Sequence, residues 1–130
     1  MSVERHVVPG LFPPPDYAHV AVADGRLVLT AGGVPLDPDG TLVGPGDYVE
    51  QTRRVIANLL AALEAGGAGA DDVAKTTVYV VTPHGRGPLA EVWQVVRSSA
   101  LSGAPSTLLG VSTLGYEGQL VEIEAIAVVA

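Results

Sequence analysis

The chain has 130 residues, no cysteine and a formal charge of −7, from seven Lys and Arg against fourteen Asp and Glu. The missing cysteines exclude disulfides, thiolate metal sites and a thiol nucleophile. The acidic balance, with no basic cluster beyond Arg53–Arg54, argues against a nucleic-acid partner, whose phosphates need clustered cations.

Residues 1–16 carry Pro13-Pro14-Pro15 and read as an extended, proline-rich lead-in. His19–Ala23 and Leu27–Ala31 are β-rich runs joined by Asp24-Gly25, a strong hairpin signal. A second Asp-Gly, Asp39-Gly40, is expected to turn into a short strand at Thr41–Val43. Asp47 offers an N-cap with Glu50 three residues on, as in a capping box. Val49, Val55, Ile56, Leu59, Leu60 and Leu63 then recur at helical spacing, and Gly66-Gly67 stops the helix. A loop from Asp71 leads into the strand Lys75–Val81. Pro88 suits the first turn of a second helix with Leu89, Val92, Trp93 and Val96 on one face. Strands Ser106–Val111 and Leu120–Val129 complete the chain. The order predicts one α+β domain over residues 1–130, a mixed, mostly antiparallel sheet with two helices on one face.

About 57% of the residues are apolar when Gly is counted with them and Tyr is not, above the ~45–50% usual in globular domains. A chain this short has little interior to hide that surface, so self-association is expected. No run reaches the ~18–20 apolar residues of a membrane span, and MSVERHVVPG lacks the apolar stretch of a signal peptide. The expectation is a cytoplasmic protein with no membrane contact.

Particular residues then carry a resemblance. Tyr17-Ala-His, Ala31-Gly32-Gly33 at a strand end, Gln51 with Asn58-Leu59, Asp72-Val-Ala-Lys-Thr-Thr-Val-Tyr and Val121-Glu-Ile-Glu-Ala-Ile-Ala together resemble the RidA/YjgF superfamily of imine deaminases, from about Tyr17 to Val128. The resemblance implies a fold like that of the trimeric chorismate mutase, a homotrimer, and clefts between subunits that hold a small molecule. It places the water-orienting glutamate on Glu122, a pocket tyrosine on Tyr17 and a water-holding backbone carbonyl on Leu109. The arginine that grips the substrate carboxylate in deaminating members falls on Thr107, and a pocket asparagine falls on Ala90. A threonine offers one neutral hydroxyl where arginine offers a charged fork. Losing such a contact costs on the order of 1.5–3 kcal/mol, roughly 10–150-fold in affinity or rate. No Lys or Arg within residues 105–120 stands in for it.

Each residue also has a plainer role. Glu122 could be an ion-paired or solvent-facing strand carboxylate, and Glu124, on the same face, is read as structural. Thr107 could be an ordinary β-branched strand residue, and Tyr17 a packing aromatic. Gly32 and Gly33 either permit a bend or let backbone approach a ligand. Trp93 is read as core or interface, and Tyr116 as a loop residue with reach. His6, His19 and His84 lack metal-ligand spacing, so no metal and no cofactor is expected. Two functions follow: hydrolysis of a small imine or enamine other than 2-aminoacrylate, with Glu122 as general base, or non-catalytic binding of a small metabolite by a trimer.

Overall fold

Asp47 caps the first helix as its position predicts, its side chain accepting the Glu50 N–H at 3.0 Å. The computed structural model describes residues 2–130. In chain order these form β1 Val3–His6, β2 Val20–Ala23, β3 Arg26–Leu29, α1 Tyr48–Ala65, a 3-10 turn Ala70–Asp72, β4 Val73–Val81, α2 Gly87–Arg97, β5 Ser106–Val111 and β6 Val121–Val129. Helix α1 ends at Gly66, and Gly67 takes the left-handed conformation at φ 86°. Pro88 sits in the first turn of α2.

Strands β3, β6, β4 and β5 form one sheet in that order, and β1 pairs with β2 in a second. The larger sheet is mixed: β4 runs parallel to β5, with α2 as the crossover, and antiparallel to β6. Both helices cover one of its faces. Val55, Leu59 and Leu63 of α1 and Val92 and Val96 of α2 pack with Val78, Val80, Val121 and Ile123 of the strands, all buried. Each full burial of such a side chain is worth ~1.5–3 kcal/mol. The architecture is α+β with two helices on one face, as the order of elements predicts.

Two local readings are corrected, and the proline-rich lead-in gains a paired strand: Val3–His6 runs antiparallel to β2, Val3 opposite Ala23. The Arg5 guanidinium ties this pair to the larger sheet through the Ala70 and Val73 carbonyls, each at 2.9 Å. Asp24-Gly25 is not a hairpin turn, since β2 and β3 belong to different sheets and β3 pairs with β6 instead. Gly25, at φ 143°, passes so close to Val129 that a Cβ would strike its carbonyl oxygen. The third strand expected at Thr41–Val43 reduces to a single bridge between Leu36 and Leu42 around the Asp39-Gly40 turn.

Buried polar side chains of α1 fasten the loops above the sheet. The Gln51 amide donates to the Gly44 and Gly118 carbonyls, both at 3.1 Å, and accepts the Leu120 N–H at 2.8 Å. Asn58 donates to Val34 and Leu36.

Candidate functional site

Strand alternation decides which side chains leave the core. On β4 and β6 the buried residues Val78, Val80, Val121 and Ile123 face the helices, so Lys75, Thr77, Tyr79, Glu122 and Glu124 stand on the opposite, open face. Thr107 and Leu109 share that face on β5. Strand register arranges them in rows: Thr107, Thr77 and Glu124 in one, Leu109, Tyr79 and Glu122 in the next.

Glu122 is half-buried and oriented from two sides. Its Oε1 accepts a hydrogen bond from Gln119 Nε2 at 3.1 Å. Gln119 is itself buried and held by the Val121 carbonyl and the Tyr116 N–H. On the other side lies Gly32, where a Cβ would collide with the Glu122 carboxylate. The backbone at Gly32 therefore approaches the carboxylate closely, and any larger residue would push that carboxylate aside. Gly33 differs. Its N–H donates to the Ile123 carbonyl at 2.7 Å, and a Cβ there would sit 3.0 Å from the Val55 carbonyl oxygen. Gly33 lets the chain pass between α1 and β6.

Glu124 accepts from the Tyr79 hydroxyl at 2.7 Å. That bond, with desolvation and the charges of both glutamates, raises the phenol's pKa above its ordinary value. The sequence places Glu124 in a structural role, and the structure gives it this partner.

Thr107 is exposed, and its hydroxyl accepts a hydrogen bond from Lys75 Nζ at 2.7 Å. Thirty-two residues separate the two in sequence, and β4–β5 pairing brings them together. Lys75, Thr77 and Tyr79 on the open face, and Gln119 beside it, are residues that sequence reasoning did not single out. Lys75 had one available signal, its place at the start of the strand Lys75–Val81 as the chain's single lysine; Gln119, a lone amide in a loop, had none.

Leu109 is half-buried in β5. The carbonyls of Pro105 and Val111 accept from Thr76 and Thr82 of the β4 side. The Leu109 carbonyl, between them in the same alternation, therefore also points into the β4 ladder. Only its second lone pair is left for a water.

Tyr17 is not brought to Glu122 within one chain. It lies across β5 from Thr107, in a cavity of about 280 Å³ shared with Pro15, Trp93, Ser106 and Leu108. There it packs edge-on to Trp93, centroids 6.1 Å apart, and to His19 at 6.3 Å. The Trp93 indole donates to the Pro15 carbonyl, anchoring the lead-in. His19 is likewise occupied, accepting the Val8 N–H at Nδ1 and meeting the Phe12 carbonyl at Nε2. Ala90 is exposed in the first turn of α2.

Comparison with known proteins bears on this arrangement. The family model described as Endoribonuclease L-PSP matches residues 12–129. A RutC family protein of Pyrococcus abyssi is 45% identical over 60 residues, 46% of this chain and 47% of that protein, so the matched stretch spans about half of that relative. The mouse 2-iminobutanoate/2-iminopropanoate deaminase is 32% identical over 108 residues, 83% of this chain and 78% of the enzyme. Among solved structures, the Rid-family protein YyfB of Yersinia pestis, whose function is unknown, superposes with a TM-score of 0.87 at 30% identity. It covers 99% of this chain and 100% of its own.

Proposed function

The chain belongs to the RidA/YjgF (endoribonuclease L-PSP) family and has its chorismate-mutase-like α+β fold, and we propose that it hydrolyses small imines or enamines with Glu122 as general base, in clefts formed by a homotrimer. The observation that carries the reading is the Glu122 carboxylate on the open sheet face. One oxygen is fixed by Gln119, and the whole group is lodged against Gly32. A carboxylate held this way can take a proton from water as the water oxygen bonds to the imine carbon. That proton passes to the nitrogen to give a carbinolamine. Its hydroxyl proton is then moved to the nitrogen as the C–N bond breaks and the C=O bond forms, so that a carbonyl compound and ammonia leave. Similarity to the mouse deaminase supports this chemistry.

The proposed assembly accounts for two further features. Tyr17 lies across β5 from Glu122 in one chain, so a cleft holding both draws them from different subunits. Leu27 and Leu29 are 66% and 67% exposed, which gives such a trimer an apolar surface to bury.

A non-catalytic metabolite-binding trimer is the second reading. What favours it is Thr107, a neutral hydroxyl where the resemblance places an arginine.

The test is ammonia release from imines generated in situ, both neutral and carboxylate-bearing, by wild type and Glu122→Gln. Turnover that falls by at least a hundredfold in Glu122→Gln is expected. Turnover that survives the change removes Glu122 from the chemistry. Saturable ligand binding with no turnover of any imine establishes the binding protein instead.

A further inference from the structure

Lys75 is the chain's only lysine. It stands on the open face of β4, half-buried, in a protein that carries a surplus of seven negative charges. Nζ spends one donor on Thr107 Oγ1, at 2.7 Å. An ammonium has three donors and no acceptor. Among the described residues, ion pairs within 4.0 Å join Glu4 to His6, Asp37 to Arg54 and Asp16 to Arg97, and none involves Lys75. Glu124 shares a cavity of about 240 Å³ with the lysine, along with Leu29, Thr77 and Ile126. Yet Glu124 is engaged by the Tyr79 hydroxyl instead.

We propose that Lys75, steadied by Thr107, is the group that binds the carboxylate of a small monocarboxylic ligand at this site. The proposal deepens the imine-hydrolase reading and rests on it for the identity of the reacting end. By strand geometry, Thr107 and Glu122 lie two strands and two residues apart, ~12 Å between Cα atoms. A small acid held by the ammonium and reaching toward Glu122 would pass Thr77 and Tyr79 of β4, which stand on the same face between the two outer strands. The cation is then supplied by the neighbouring strand, and the neutral hydroxyl at position 107 becomes its support. Lysine gives a point charge without the directional fork of arginine, so the grip is electrostatic and tolerant of orientation. Two carboxylates, Glu122 and Glu124, stand on the same face, so a second acid group on the ligand meets repulsion. Monoacids are therefore favoured over diacids.

A single lysine makes the test direct. In protein labelled with ¹⁵N-lysine, Nζ gives one signal. That signal should shift saturably with 2-hydroxybutanoate, which has no amine-reactive carbonyl, and not with 2-hydroxybutanamide or with 2-hydroxyglutarate at equal concentration. The preference for acid over amide, measured by calorimetry, should fall about ten- to a hundredfold in Lys75→Met and persist in Lys75→Arg. A folded Lys75→Met that keeps the wild-type preference overturns the proposal, as does an Nζ signal that responds to Glu124→Gln but not to the acid. The two readings fail separately. Saturable Nζ shifts without turnover of any imine leave the carboxylate site standing and remove the hydrolase. Glu122-dependent turnover of carboxylate-bearing imines with an unchanged KM in Lys75→Met does the reverse.

Discussion

If Glu122 deprotonates water as proposed, its carboxylate must be held in place, and Gly32 leaves the room in which it sits. A methyl group at position 32 would occupy the place of the Glu122 carboxylate, so Gly32→Ala must move that group by about an ångström. Misplacement of this size costs on the order of a hundredfold in rate, whereas the strain, relieved on a half-exposed face, costs about 1–3 kcal/mol in stability. The expected outcome is a folded protein with a modest loss of thermal stability and imine turnover close to that of Glu122→Gln. Wild-type turnover in Gly32→Ala would show that the close approach has no bearing on catalysis. The resemblance assigns Glu122 and Thr107 to the site, and the local alternation of their strands is what sets both side chains on the open face. The Lys75–Thr107 contact was not legible in the sequence. It depends on the parallel register that sets Thr77 opposite Thr107, and neither strand encodes that register by itself.

At the level of elements, local signals located the helices and non-local pairing decided the strands. The Asp47 cap, the apolar stripe of α1 and Pro88 of α2 act within a few residues, and each appears where its chemistry places it. Asp24-Gly25 failed as a hairpin signal because β3 finds its partner at the far end of the chain, Arg26 opposite Val129. The valine of β1 was hidden in a segment dominated by its prolines. Gln51 measures how much the long-range ties contribute. It sits fully buried in α1 and satisfies two carbonyls and one N–H from two separate loops of the chain. Replacing it by leucine takes the partner from the Leu120 N–H and the Gly118 carbonyl, and one of two donors from the Gly44 carbonyl, which also accepts the Asp47 N–H. With the loss of a buried amide's bonds this costs about 2–3 kcal/mol in all. Asp47→Ala removes one exposed cap, at about 1 kcal/mol. Urea denaturation should rank Gln51→Leu well below Asp47→Ala. The reverse order would mean that water replaces the amide's partners and that the loops before α1 and β6 are held by something else.

For the whole molecule, the question is what covers the open sheet face. Leu27 and Leu29 of β3 and Ile126 of β6 are exposed there beside the candidate site. Each leucine left in water forgoes ~1.5–3 kcal/mol that burial would return, and three copies of the face brought together would recover it. Against this works charge: every chain brings −7, and the repulsion is damped only as salt shortens the screening length, from ~10 Å at 0.1 M to ~3 Å at 1 M. A trimer held by apolar contact and opposed by charge should therefore tighten, not loosen, as salt is added. Light scattering at micromolar concentration should give about three times the 13.2 kDa of the chain. Leu29→Glu should shift the mass toward one chain by adding a charge to the surface that must be buried. If Tyr17 of one subunit and Glu122 of another line the same cleft, imine turnover should fall in step with the loss of trimer as Leu29→Glu is diluted. A wild-type protein that is monomeric at these concentrations would overturn the assembly. A Leu29→Glu monomer with full turnover would overturn the shared cleft, and would place the whole reaction on one sheet face.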